Sequence, residues 1–237
     1  MNDVVPAPAK LTLWLHVVGV RPDGYHLIEA EMVAIDLADE LRFEVGDGLE
    51  ILDEAASGLA VSAGPDNLVA RALAAVGRKA KVTLTKRIPA GAGLGGGSAD
   101  AAAVLRWSGC DDVALAASLG ADVPFCLRPG RALVRGIGEV LVPLQPVEGI
   151  YTLLIPPLGC STPEVYRAWD RLGGPNSATN DLEAAALAVV PELAAYRDGL
   201  GDATGQTPIL AGSGATWFVP GSFPGAGRRV VRTVGGG

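Results

Sequence analysis

Between Ile88 and Leu105 the chain reads IPAGAGLGGGSADAAAVL, five glycines followed by a serine and an alanine-rich run. Gly91, Gly93, Gly95, Gly96 and Gly97 carry no Cβ, so the backbone can turn tightly and bring successive N–H groups close to an anion. Ser98 stands where a helix is expected to open. A helix start offers unpaired N–H groups and a positive dipole end, so the spacing predicts a cradle for nucleotide phosphates with no lysine inside the loop. The flanks fit: Val82 to Thr85 alternates apolar and polar like a half-buried strand, and Ala99 to Trp107 is rich in helix formers. A loop joining two ordered elements is not a flexible linker.

Two better-known phosphate loops fit less well. No G-K-[ST] follows the glycines, which excludes a Walker A loop. Gly91, Gly93 and Gly96 satisfy G-x-G-x-x-G, with Asp111 and Asp112 at a plausible distance for a ribose carboxylate. However, the preceding KVTLTKR is not a buried apolar strand, and the aspartates sit in a helix-like segment.

Other groups able to do chemistry are scattered. Asp122 lies in GADVPF, a stiff turn by its composition, where its carboxylate reads equally as a turn or cap residue. Lys10 precedes an apolar strand, and its type alone suggests an edge lysine reaching for water. Tyr25 and His26 follow a Pro22-Asp23-Gly24 turn, His16 falls in an apolar run as a structural histidine, and Ser98 has the type of a helix cap. Asn67 has the type of a helix-start residue. Gly212, Ser213, Gly214 and Ala215 form a second tight turn.

The elements that must position these groups mix strands and helices. Strands are expected at 9–18, within 31–45, at Val82–Thr85, through Ala132–Val142 and at Tyr151–Ile155, with a polar break at Gly46–Gly48. Helices are expected at Leu68–Val76, Ala99–Trp107, Asp112–Leu119, Pro163–Leu172 and from Asp181, with a loop over Asn176–Asn180. Gly225–Gly237 reads as a surface finish, and a boundary near Glu148-Gly149 divides residues 1–148 from 149–237.

The 237 residues, 49% hydrophobic and 19% charged with net charge −7, describe a globular chain without a basic surface for nucleic acid. Leu11–Val20 is too short to span a membrane and no cleavable signal is evident, so a cytoplasmic protein with no membrane partner is expected. Cys110, Cys126 and Cys160 lack C-x-x-C spacing and read as reduced thiols.

Three segments, PAKLTLWLHVVGVRPDGYH, IPAGAGLGGGSADAAAVL and LAGSGATWFV, together resemble the GHMP small-molecule kinases over nearly the whole chain. Within that superfamily, DGYH and GADVPF resemble the diphosphocytidyl-methylerythritol branch. The resemblance implies a two-lobed α/β (α+β) fold. Its amino-terminal ATP-binding lobe would contain a left-handed βαβ unit, and its carboxy-terminal α+β lobe would be smaller. It also implies transfer of the γ-phosphoryl of ATP to the 2-hydroxyl of an acceptor bearing a cytidine diphosphate group, in the non-mevalonate route to isoprenoid precursors. Asp122 would be the base and Lys10 its electrostatic partner. Asn67, Pro89, Gly91, Gly93, Leu94, Gly95, Gly96, Gly97 and Ser98 would hold ATP, Ser98 also facing Mg2+. His26 would hydrogen-bond the cytosine edge and Tyr25 would stack on the ring.

Two departures stand out. Thr12 replaces the family's usual asparagine, so a polar contact near Lys10 is expected to be lost or water-bridged. Leu172 to Asn180 lacks an aromatic that the family often uses as a second stacking face. A kinase of another small alcohol, or a silent nucleotide-binding relative, are the competing readings. A monomer or weak homodimer is expected.

Overall fold

The computed structural model describes residues 3–55, 61–174 and 179–235. Two long strands open the chain, β1 (Asp3–Val20) and β2 (His26–Glu44), paired antiparallel along their length. Both are longer than the sequence pattern suggested, because central residues buried on both faces mask the period-2 signal. Their register shifts between Pro8 and Lys10, Thr12 and Trp14, and Val17 and Gly19. The first of these irregularities frees the Lys10 N–H to bond Leu94 O at 3.0 Å, tying β1 to the glycine loop.

The other edge of β2 is shared. Ile28 to Val33 pair with β5 (Arg131–Gly136), and Glu40 to Glu44 pair with β4 (Lys81–Lys86). β3 (Gly48–Asp53) runs parallel to β4 and α1 (Leu68–Ala75) connects them, a βαβ unit. β6 (Val140–Pro143) closes a hairpin on β5, so the stretch expected as one extended segment is two strands turning at Gly136 and Gly138, both at positive φ. Against this sheet pack α2 (Gly96–Ser108), α3 (Val113–Leu119) and α4 (Val123–Leu127). Ala99, Ala101, Ala102 and Ala103 are fully buried, and their small side chains let α2 approach closely.

The second half holds a four-stranded antiparallel sheet of β7 (Ile150–Leu154), β8 (Ile209–Leu210), β9 (Trp217–Pro220) and β10 (Arg228–Arg232), in the order β10-β7-β9-β8. With it are α5 (Thr162–Leu172), α6 (Glu183–Val189) and α7 (Leu193–Thr204). One apolar cluster joins both sheets: Leu11, Ile35 and Leu37 meet Leu153, Phe218 and Val231. The site described below therefore sits on a continuous core.

Four local expectations are corrected. GLEILD, passed over after the Gly46–Gly48 break, forms β3 because β4 offers it a parallel partner. ADVPF forms the short helix α4, Pro124 falling where a first turn tolerates a missing N–H. Gly225–Gly237 is not merely a surface finish: RRVVR pairs with β7 and seats Val231 in the shared core, a tertiary choice that its own short pattern does not disclose. The helix α7, absent from the sequence expectations, contains Gly199 and Gly201, which lower its local propensity and hide it from the pattern. Positions 176–178 of the expected Asn176–Asn180 loop lie outside the described residues.

Candidate active site

The glycine loop is held in place from three sides. Beyond the Lys10 bond, Thr216 N donates to Ala92 O at 3.2 Å and Cys160 N to Gly91 O at 3.4 Å. A Cβ on Gly93 would lie 2.5 Å from both Ala211 O and Gly214 O, so the two glycine motifs touch backbone to backbone. The second motif is itself anchored: the Asn180 amide donates to Leu210 O and Gly212 O at 2.8 and 2.7 Å, and Thr162 Oγ1 lies 2.8 Å from Ser213 Oγ.

A cavity of about 610 Å³ opens over this loop. Its lining includes Lys10, Asn67, Pro89, Gly91, Gly93, Leu94, Gly95, Gly96, Gly97, Ser98 and Asp122, so these expected residues are brought together. The N-cap of α2 is Gly95 at φ 70°, not Ser98, which is the third residue of the helix. The Ser98 hydroxyl has no hydrogen-bond partner among the described residues, which leaves it available to a ligand. Asp122 stands at the N-cap position of α4, but its side chain makes no cap hydrogen bond.

Lys10 Nζ lies 3.7 Å from Asp122 Oδ2. Lys10 is nearly buried while the Asp122 side chain is about one-third exposed, so the carboxylate faces the cavity and the ammonium backs it. Contrary to expectation, the polar contact at Thr12 is retained directly: Lys10 Nζ donates to Thr12 Oγ1 at 3.1 Å. Gly95 leaves room for this lysine, since a Cβ there would sit 2.9 Å from Lys10 Cγ.

Asn67 has both ends of its amide engaged. Oδ1 accepts from Val69 N at 2.8 Å, capping α1, and Nδ2 donates to Ser62 O at 2.7 Å. Tyr25 and His26 do not line the cavity. Tyr25 is 58% exposed, with the Arg21 guanidinium 5.9 Å from its ring centre. His26 is mostly buried and packs against Tyr166, ring centres 4.7 Å apart and planes tilted by 33°, and Tyr166 does line the cavity. His16 Nδ1 lies 3.3 Å from Asp181 Oδ1, a satisfied structural position.

Sequence reading missed a buried triad directly behind the loop. Lys86 Nζ bonds Asp39 Oδ2, and Asp100 Oδ2 at 2.8 Å, while Asp39 Oδ1 accepts from the N–H groups of Arg87 and Ile88 at 2.5 and 2.7 Å. The Asp100 carboxyl is pushed up to about 7 by burial, which the Lys86 charge opposes and the Asp39 charge reinforces. Asp100 Oδ1 has no hydrogen-bond partner among the described residues. A signal existed: strict alternation puts Lys86 on the inward face with Val82 and Leu84, and Asp100 interrupts an alanine-rich buried helix. Charges in such places require partners.

All three cysteines are free thiols, and burial raises the Cys126 and Cys160 pKa values. Among the described residues no cluster of three or more His, Cys, Asp or Glu side chains is placed to hold a metal ion, and no helix is long and apolar enough to cross a membrane.

Comparison with known proteins brings these features together. The family model "GHMP kinases N terminal domain" matches residues 67–130, from the α1 cap through the glycine loop and Asp122. A 4-diphosphocytidyl-2-C-methyl-D-erythritol kinase of Paracoccus denitrificans is 42% identical, the match covering 90% of this chain and 84% of that one. One of Pelotomaculum thermopropionicum is 39% identical over 90% and 86%. A crystal structure of a 4-(cytidine 5'-diphospho)-2C-methyl-D-erythritol kinase superposes with TM-score 0.75 at 34% identity, covering all of both chains. A mevalonate kinase shares the fold at TM-score 0.58 and 12% identity.

Proposed function

The chain belongs to the family of 4-diphosphocytidyl-2-C-methyl-D-erythritol kinases, and from that premise we propose that it transfers the γ-phosphoryl of ATP to the 2-hydroxyl of 4-diphosphocytidyl-2-C-methyl-D-erythritol. The observation that carries this reading is the Lys10–Asp122 pair facing the cavity beside the glycine loop. Phosphoryl transfer is dominated by positioning and charge stabilisation, and the site is equipped for both.

The N–H groups of the loop and the first turn of α2 would receive the β- and γ-phosphates, with the helix dipole assisting. Asp122 would accept the proton of the acceptor hydroxyl as that oxygen approaches phosphorus. Lys10, held by Thr12, would offset negative charge gathering between donor and acceptor. Magnesium fits as an ion carried by the nucleotide phosphates, with the free Ser98 hydroxyl as its protein contact, where it would neutralise phosphate charge. Asn67 would shape the adenine end of the cavity, its cap bonds fixing the wall. At the acceptor end, His26 would hydrogen-bond the cytosine edge, with Tyr166 behind it. Tyr25 would stack from the rim through the ring face that Arg21 leaves free. A division into lobes between residues 148 and 149 would put the cavity where the two halves meet.

The test is ADP release with magnesium and ATP, comparing the cytidine acceptor with mevalonate, homoserine and no acceptor. Release with the cytidine compound alone is the expected result. Turnover of another acceptor instead would leave only the superfamily chemistry, and ATP binding without turnover would overturn the enzymatic reading.

A further inference from the structure

The helix α5 presents one face to the end of β2. Tyr166, Trp169 and Asp170 are spaced i, i+3 and i+4, so they lie together. All three meet the imidazole of His26: Tyr166 packs against it with the rings tilted by 33°, Trp169 packs edge-on at 5.5 Å between ring centres, and Asp170 Oδ1 lies 2.7 Å from Nε2. The ring is thus fixed in plane and rotation. Along β2, Ile28 and Met32 share His26's face by strand alternation and both line the cavity, so the imidazole continues that row toward its rim.

A carboxylate only accepts hydrogen bonds, so a neutral imidazole beside Asp170 must carry its proton on Nε2. Nδ1 is then a lone-pair acceptor, and it has no partner among the described residues. Cytosine and uracil differ at this kind of contact: cytosine offers an exocyclic amino donor where uracil offers a carbonyl acceptor. Two acceptors face to face repel, and a buried acceptor left unpaired is costly.

We infer that Asp170 is a positioning residue for base selection, holding His26 in the Nε2–H form so that Nδ1 accepts from an amino group and rejects a carbonyl. This rests on the cytidine reading of the acceptor end given above. Asp170 is about half exposed and outside the apolar core, so its replacement is expected to leave folding intact. Its effect passes through His26 and not through contact with the reacting atoms.

The chain has only two histidines, which makes the proton directly observable. Nitrogen-15 NMR of the histidine-labelled protein at neutral to mildly alkaline pH, assigned with His16→Gln, should show His26 protonated at Nε2 and bare at Nδ1. Asp170→Ala should abolish that preference, and Asp170→Glu should restore part of it. In turnover, Asp170→Ala should raise KM for the cytidine acceptor about tenfold with kcat nearly unchanged, and should shrink the preference over a uridine-bearing analogue by a similar factor. An Nδ1–H tautomer in the parent protein, or an Asp170→Ala variant with unchanged KM and base preference while His26→Ala raises KM, overturns the inference alone. If His26→Ala also leaves the acceptor KM unmoved, the cytidine reading beneath it falls as well.

Discussion

The two ends of the cavity are built from different materials. At the phosphate end, glycine backbone meets glycine backbone, and the charged groups behind it, Lys86, Asp39 and Asp100, are buried and paired. At the acceptor end the proposed contacts are side chains at a partly solvated rim, Tyr25 and His26, braced by α5. Backbone geometry and buried charge resist change, because any alteration must move the core. A rim of side chains can be altered one residue at a time. The contrast teaches that a shared chemistry resides in the part of the fold that cannot be varied cheaply, and substrate choice in the part that can.

The sharpest way to break this contrast is at Asp122. Asp122→Asn keeps the shape and removes the proton acceptor, so kcat should fall by roughly 10²- to 10⁴-fold, with the KM for ATP changed little. Steady-state kinetics with both substrates varied would check it. A variant that loses ATP affinity and keeps its turnover would move Asp122 from the chemistry to the nucleotide side.

The buried triad comes next. Lys86→Met leaves two carboxylates facing each other without a cation, and breaking a buried pair in this way costs about 3–5 kcal/mol. Thermal unfolding should show a fall in Tm of on the order of 10 °C for a chain of this size. The pH dependence has a definite sign. Asp100's folded pKa of about 7 lies above the unfolded 3.8, so its contribution is fully present at low pH and is lost as pH rises toward 7. Asp100→Asn should remove that part of the slope, which denaturant titrations between pH 4 and 8 would reveal.

At the rim the expected effects are smaller and fall on the acceptor. Stacking of a base on an aromatic ring contributes about 1–3 kcal/mol, so Tyr25→Ala should raise the acceptor KM by about 5- to 150-fold and leave the ATP KM alone. If the acceptor KM does not move, the exposed Tyr25 ring is only a neighbour of the turn. Tyr166, which lines the cavity, would then be the ring to test at that end.

How far the sequence disclosed this arrangement depends on the kind of signal. The glycine loop was legible because it is local: a turn, a helix start and no Cβ are all written within eighteen residues. Asp122 and Lys10 were legible only through resemblance, since a residue's type does not reveal that a strand irregularity near residue 10 will face a helix near residue 122. The triad depends on three separate elements, although an inward-facing lysine was a fair warning. The His26–Asp170 contact, spanning 144 residues, had no local signature at all. β10 was overlooked for the same reason, its partner β7 lying some 75 residues away.

Thr12 supplies the smallest and most discriminating change, because it lies at the phosphate end yet acts through one hydrogen bond. Its Oγ1 accepts from Lys10 Nζ at 3.1 Å, and Thr12 itself is buried at 1% exposure. Thr12→Val preserves the shape and removes the acceptor, and a net hydrogen bond to a charged group contributes about 1.5–3 kcal/mol when its partner is left without a substitute. Lys10 retains Asp122 as a second partner, so the loss should stay near the lower bound and appear as about a tenfold fall in kcat/KM. Thr12→Ser keeps the hydroxyl and should remain within about twofold of the parent. A Thr12→Val variant as active as Thr12→Ser would mean that Asp122 alone orients Lys10. The phosphate end would then tolerate single side-chain changes as readily as the rim does, and the contrast between the two ends would reduce to the glycine backbone and the buried triad.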